Sequence, residues 1–565
     1  MNNRIIIPVN RRFTNYTKFI STFKPVIEHW KVPYRIIDTK HDAFEKNILD
    51  CGLILLIQPG IGKALNKSVI SVMEVALKSG SGLFIADYSF LENKHLSRFS
   101  FSSNFPVVSR EAKVSQLQVH DNEHFISSTK DKDEIIRLPV NLKVLLVKGN
   151  NKSYNTIVKF RGKKILFFLN KKDINIGFFL ISPASILGKL GFGTDLDVFY
   201  WKSIIYLARK PFVQLLPPHF LTFRIEDSIG EGNYKYLDFV LKQGFKTHLG
   251  LDLTDFDRSL SKKLLQYQHK GLIECSPHSF SHFKKAPLEE THLIFINFNG
   301  KEYSQKIIRE NFVRLAAFKK ETGIRYSAVL TYHYCQLGKN ALSYLKDMGV
   351  KYLGFPFRTN VKLDDALKKQ WRLYPFGKLG LVADYLPEDK SFFVINSLSF
   401  PVQKLSRRQS MNVAITSDLD FLYGLRLKAP GKKFEQYKEA SERVYKHVRW
   451  SVENMFFSTV FTHETLINYL RIEEFKRLIR VIVDKLKPFE VKNELYADIA
   501  KYYQERFHTR LTSCIVKGKD IFCDVTSEAA SYSYVTVYSE QNRKIKRKSE
   551  RIKTNGQRET ILIKL

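Results

Sequence analysis

Hydrophobic and polar positions along the first two hundred residues follow two periods in turn. Residues 4–9, 34–38, 52–58 and 82–87 are short apolar runs of strand length, whereas 16–30 and 67–78 repeat their apolar positions every three to four residues. Strands alternating with helices predict an open parallel α/β domain over residues 1–215, its sheet covered on both faces. From about 125 to 170 the pattern changes to short β runs separated by turn residues, which predicts a β insertion. Residues 199–210 have the periodicity of an amphipathic helix. The pair Pro217-Pro218 then marks a boundary, because consecutive prolines stop a helix and stiffen a junction.

The alternation restarts at 219 and runs to about 508. Helical periodicity covers 234–243, 258–270, 304–322, 339–348, 433–456 and 473–486, and strand-like runs cover 246–251, 272–275, 325–332, 350–355, 392–398 and 458–461. Repeated βα units whose strands end in polar residues predict a barrel-like α/β domain with its site at the strand C-terminal rim. Beyond His508 the runs 511–516, 520–525, 532–538 and 560–563 predict a small C-terminal β-sandwich over 509–565.

The chain has 565 residues, too many for one hydrophobic core. Apolar residues make up 44% and charged residues 26%, an ordinary globular composition. Five scattered cysteines, none at zinc-knuckle spacing, argue against a disulfide framework and fit a reducing compartment. The apolar run before Asn10 is too short for a signal-peptide core, and the stretch 174–192 is broken by Pro183, Ser185 and Lys189. A cytoplasmic protein is the expectation. The net charge of +35 favours acidic partners, including an anionic membrane surface at the inner face, although general lysine-rich bias accounts for it equally well. The densest basic tract, Arg543-Lys544-Ile545-Lys546-Arg547-Lys548, fits a solvated hairpin, and no recognition motif points to a nucleic-acid partner.

Two turns invite chemistry. Gln58-Pro59-Gly60-Ile61-Gly62-Lys63 lacks the full phosphate-loop pattern and is better explained as a tight βα turn. The stretch from Phe220 to His282 is more informative. An apolar run, Phe220-Leu221-Thr222-Phe223, leads to the acidic pair Glu226-Asp227, and Pro277-His278-Ser279-Phe280-Ser281-His282 follows another apolar run. One carboxylate and two histidines make a three-ligand metal site that leaves positions for water and substrate. On a helical turn, histidines four apart would share one face. The iron oxygenases use the same ligand types, but on a β-barrel that the βα alternation argues against. His333, at the end of a strand-like run, is a further candidate at the rim, with an ordinary core or surface histidine as the equal alternative.

Thr222-Phe223-Arg224-Ile225-Glu226-Asp227 and His278-Ser279-Phe280-Ser281-His282 together resemble the polysaccharide deacetylases, over roughly half the chain. The resemblance implies a deformed (β/α) barrel and a divalent metal, usually zinc, held by Asp227, His278 and His282. It implies Glu226 as general base and His463, in Phe461-Thr462-His463-Glu464, as general acid to the leaving amine. The family has aspartate where this chain has Glu226, and an offset of about 1 Å at a reacting centre can cost on the order of a hundredfold in rate. Residues 1–215 resemble the class I glutamine-amidotransferase-like fold in their alternation and in the strand 82–87, but Asp87-Tyr88-Ser89 stands where active members have a cysteine. That domain is therefore expected as a non-catalytic scaffold.

The expected activity is metal-dependent removal of an N-acetyl or other N-acyl group from an amino sugar in a glycan or lipid-linked glycan. The alternative is a deacetylase-fold protein that serves as a binding or assembly factor in polysaccharide biosynthesis without turnover.

Overall fold

In the computed structural model, the described residues are 2–40, 44–100, 102–148, 153–171, 174–190, 194–280, 293–295, 302–332, 337–358, 383–386, 389–399, 420–423, 425, 436–542 and 544–564. The protein is a mixed α/β molecule with several sheets. Its contacts divide it into two compact units, residues 1–216 with 505–565, and residues 217–504.

The first unit opens with strands β1 (Ile5–Val9), β2 (Tyr34–Asp38), β3 (Leu53–Leu56) and β4 (Gly82–Ile85), paired in parallel. Helices Tyr16–Trp30 and Lys67–Lys78 stand where the periodicity places them. The expected β insertion continues this same sheet. Strands β5 (Val107–Val119), β6 (Ile135–Lys148), β7 (Tyr154–Phe160), β8 (Lys163–Lys171) and β9 (Ile174–Phe179) complete nine strands in the order β2-β1-β3-β4-β9-β8-β7-β5-β6. β9 lies parallel to β4 but antiparallel to β8, so the sheet is parallel at one end and antiparallel at the other. A short strand, β10 (Phe212–Leu215), precedes the second unit.

The glycines of the turn at 58–63 serve packing. Gly60 has φ of +86°, a backbone that favours glycine. Gly62 donates its N–H to Asp87 Oδ2 at 2.7 Å, so that amide is not open to a phosphate. Asp87 also accepts from the Ser89 hydroxyl at 2.6 Å. Its carboxylate is spent inside the fold.

The second unit contains two mainly parallel sheets. One is built from β11 (Phe220–Ser228), β12 (Thr247–Asp252), β13 (Ile273–Ser279), β18 (Ser458–His463) and β19 (Lys492–Asn493), in the order β13-β12-β11-β18 with β19 also on β11. The other runs β14-β15-β17-β16, from Val329–Thr331, Tyr352–Arg358, Phe393–Ser399 and Ala383–Tyr385 respectively. A parallel bridge from Cys275 to Tyr326 joins the end of one sheet toward the other, and a second bridge joins Asp420 to Phe461. Helices Lys235–Lys242, Ser261–His269, Gln305–Thr322, Tyr437–Glu453 and Ile472–Leu486 cover the strands. A single apolar cluster, including Leu221, Phe223, Leu249, Ile273, Leu330, Val460 and Leu478, fills the interior. Among the described residues, no helix is long and apolar enough to cross a membrane.

The closing strands β20 (Arg510–Lys517), β21 (Asp520–Thr526), β22 (Ala530–Gln541), β23 (Lys544–Asn555) and β24 (Arg558–Lys564) form two three-stranded sheets around one core. One strand comes from elsewhere in the chain. β10 pairs antiparallel with β22, Val213 opposite Val537, so the sheets belong with the first unit.

Gly62→Ala should destabilise the first unit. The new methyl would lie 2.5 Å from the Phe90 backbone, and such overpacking costs about 1–3 kcal/mol. A fall in the urea midpoint at unchanged slope is the expected result.

Candidate active site

Successive side chains on a regular strand point to opposite faces, so Glu226 and Asp227 could not both serve one site from an undistorted β11. The ladder solves this locally. Ile225 pairs with Leu249 and Ser228 with Leu251, which leaves one extra residue on β11 and makes a bulge of the acidic pair. Asp227 takes a left-handed backbone, φ of +52°, uncommon for a residue with a Cβ. A second register break lies on the other side of β12. Leu251 pairs with Pro277 and Asp252 with Ser279, so His278 is the extra residue of β13. His278 thus sits on a strand end and not on a helical turn.

The two bulges bring their side chains together. His278 Nε2 lies 3.6 Å from Glu226 Oε2 and 3.5 Å from Asp227 Oδ1. All three are buried, at 2%, 1% and 4% exposure. The Thr331 carbonyl, 3.2 Å from His278 Nδ1, can only accept, so Nδ1 carries a proton and Nε2 is the nitrogen that faces the acids. Thr331 is itself held from below, its hydroxyl 3.1 Å from both His248 Nε2 and Ser276 Oγ.

β18 supplies the fourth group. His463 pairs in register with Glu226, and its Nε2 is 3.9 Å from Glu226 Oε2. Its Nδ1 donates to Asp420 Oδ2 at 2.5 Å. Burial disfavours the imidazolium, but the Asp420 hydrogen bond and charge override it and raise His463 to about 9. At neutral pH the ring is protonated with Nε2–H directed toward the acids. The next residue, Glu464, braces the site. It accepts from the backbone N–H of Ile229 and Gly230 and, at 2.5 Å, from the Tyr236 hydroxyl.

Glu226 is shaped by its surroundings. Burial pushes its carboxyl up, yet Arg224, His278 and His463 outweigh burial and leave it below the ordinary value. Arg224 pairs with Glu226 Oε1, and its guanidinium lies 4.8 Å from the centre of the Phe461 ring. Asp252, at the end of β12, goes the other way. Burial first, then the charge of Asp227, raises it to about 8.

Four of the residues singled out in the sequence, Glu226, Asp227, His278 and His463, are therefore assembled in one place. His282 and His333 lie outside the described residues. Sequence reading assigned no role to Arg224, Asp420 or Asp252. Arg224 had a signal, since it stands two positions before Glu226 and shares a strand face with it. Asp420 had none, lying 43 residues from its partner.

The donor set suits a divalent ion in part. An oxygen and a nitrogen each about 2.0–2.1 Å from a tetrahedral ion stand about 3.4 Å apart, close to the Asp227–His278 separation. Among the described residues no three such donors converge closely enough to hold an ion unaided.

No protein family and no curated protein matches the chain. Solved structures with a similar course include the chitin deacetylase from the fungal pathogen Colletotrichum lindemuthianum, 11% identical, covering 51% of this chain and 90% of that one at a TM-score of 0.29. The Xyl-CE4 domain of a multidomain xylanase from the hindgut metagenome of Trinervitermes trinervoides is 8% identical, covering 51% of this chain and 93% of that one at 0.27. The glutaminase domain of Trypanosoma brucei CTPS is 11% identical, covering 36% and 92% at 0.24. These likenesses are weak and concern the fold alone.

Asp420→Asn should lower the His463 titration midpoint, because only the charges of Asp227 and Glu226 then remain to offset burial. The stabilisation from this pair is complete below about 6.5, the ordinary value, and fades as pH rises through the folded value of about 9. Imidazole NMR titration checks the midpoint, and the loss of stability between those pH values should flatten in the variant.

Proposed function

We propose that residues 217–504 form a metal-dependent deacetylase that releases an N-acetyl or other N-acyl group from an amino sugar of a glycan or lipid-linked glycan. On this reading the two parallel sheets are staves of a deformed (β/α) barrel, with the site at the C-terminal ends of β11, β13 and β18. The observation that carries the proposal is the convergence of Glu226, Asp227, His278 and His463, with a base and an acid in opposite protonation states at neutral pH.

Asp227 and His278 would hold the ion, zinc by the chemistry of a mixed carboxylate–imidazole set, with His282 as the third ligand. Such an ion lowers the pKa of bound water toward 7 and polarises a carbonyl. Everything else falls to the chain. Thr331 accepts from His278 Nδ1 and so presents Nε2 as the nitrogen that would face the ion. Glu226, ionised and oriented by Arg224, accepts the proton of the attacking water through Oε2. His463, held as imidazolium by Asp420, donates from Nε2 to the leaving amine nitrogen. The net charge of +35 suits an anionic glycan or a substrate presented at an anionic membrane surface.

A second reading has one observation in its favour. Oε1 of Glu226 is committed to Arg224, and the side chain is longer than the aspartate of the family it resembles. A binding or assembly factor with this fold would hold metal and glycan without releasing acyl groups.

Elemental analysis should find roughly one divalent ion per chain, lost in the variant carrying both His278→Ala and His282→Ala. Absence of stoichiometric metal after reconstitution with zinc, cobalt or manganese would sink the hydrolase. With metal bound, Glu226→Gln and His463→Ala should each reduce acetate release from N-acetylated oligosaccharides by about 10²–10⁴-fold. Metal and glycan binding with no release in the parent protein would favour the second reading.

A further inference from the structure

Gly250 occupies the middle of β12, between the bulges that carry Glu226 and His278. Glycine inside a strand is unfavourable relative to alanine and needs a local reason. Backbone freedom is not that reason, since Gly250 is absent from the residues with positive φ. Space is. A methyl group on Gly250 would stand 3.2 Å from Cγ of Glu226 and 3.2 Å from Cβ and Cγ of His278. Carbon atoms pack best at about 3.5–4.0 Å, so the neighbours would have to yield by a few tenths of an ångström.

The contacted atom identifies the purpose. Cγ of Glu226 is the methylene by which glutamate exceeds aspartate. We infer that Gly250 is a positioning residue, and that its missing side chain houses this methylene so that the longer acid can reach the site. Arg224 fixes Oε1 from one side, His278 closes another, and the cleared face of β12 receives the bend of the chain between them. Glu226 and Gly250 form a matched pair, one residue lengthened and its neighbour emptied. The catalytic part of this inference rests on reading Glu226 as the base; the packing part does not.

The test compares four full-length proteins: the parent, Gly250→Ala, Glu226→Asp, and the double variant. Melting temperature, zinc content and steady-state acetate release from chitooligosaccharides are measured on each. Gly250→Ala in the parent should lower the melting temperature and reduce kcat by about tenfold or more with little change in KM, since displacement at a reacting centre acts mainly on the chemical step. In the Glu226→Asp background the same substitution should cost clearly less in both, and the double variant should keep its zinc. Equal costs in the two backgrounds, no cost in the parent, or failure of Gly250→Ala to fold in both would overturn the pairing and assign the constraint to His278 or the backbone. If no protein of the four releases acetate although zinc is bound, the deacetylase reading fails, while the melting temperatures still decide the packing.

Discussion

Two adjacent carboxylates buried in one protein interior are a liability unless each is compensated, because an ionised group taken out of water loses solvation worth several kcal/mol even after relaxation. The site is organised around that requirement. Glu226 is met by Arg224, His278 and His463, and Asp227 by His278. Neither set of contacts is available to a regular strand, whose neighbouring side chains diverge. The bulge on β11, with Asp227 in a left-handed backbone, turns both acids inward, and the matching bulge on β13 delivers His278 to them. Strain of this kind persists only where surrounding structure enforces it. Here the enforcement comes from β12, paired on both edges and stripped of a side chain at Gly250.

Support extends below and behind the site. The buried set of His248, Glu274, Ser276 and Thr331 ties β12, β13 and β14 together and ends on the carbonyl that selects the His278 tautomer. Glu464 clamps the segment that leaves β11 to the strand that carries His463. These groups touch no reacting atom on the proposed reading. Their effect is to hold the distances among those that do, which is where tenths of an ångström matter.

The sequence made the alternation of elements and the chemistry of the strand ends legible because both depend on short-range signals. Apolar, strand-like runs placed β12, β13 and β18 to within a few residues and marked the start of β11, and the residue types at 226, 227, 278 and 463 announced themselves as acid, acid, imidazole and imidazole. What escaped was set by register and by contacts between distant segments. Asp420 reaches His463 because a parallel bridge aligns 420 with 461, which no local pattern encodes. β10 joins β22 across more than three hundred residues, so the closing β strands could not be seen as sharing a core with residues 212–215. Gly250 looked like any glycine in a strand, since its significance lies in what stands opposite. Arg224 is the instructive omission. The period of two that any strand imposes on its side chains places it on the same face as Glu226.

The two titrating groups are pushed apart in the direction that acid–base chemistry needs. Arg224 and the imidazoles hold Glu226 below its ordinary value, and Asp420 holds His463 at about 9. Between those limits the carboxylate is ionised and the imidazole protonated, the states that the proposed reading asks of a base and an acid across neutral pH. The arrangement carries a cost, because a carboxylate stabilised by arginine is a weaker base. Tethering one oxygen exchanges basicity for orientation, and orientation is what a side chain with an extra rotatable bond lacks. An aspartate needs less restraint, having one torsion fewer to fix. Arg224 on one side and the space over Gly250 on the other are thus two halves of one accommodation, which restores to a longer acid the definition that a shorter one has by construction.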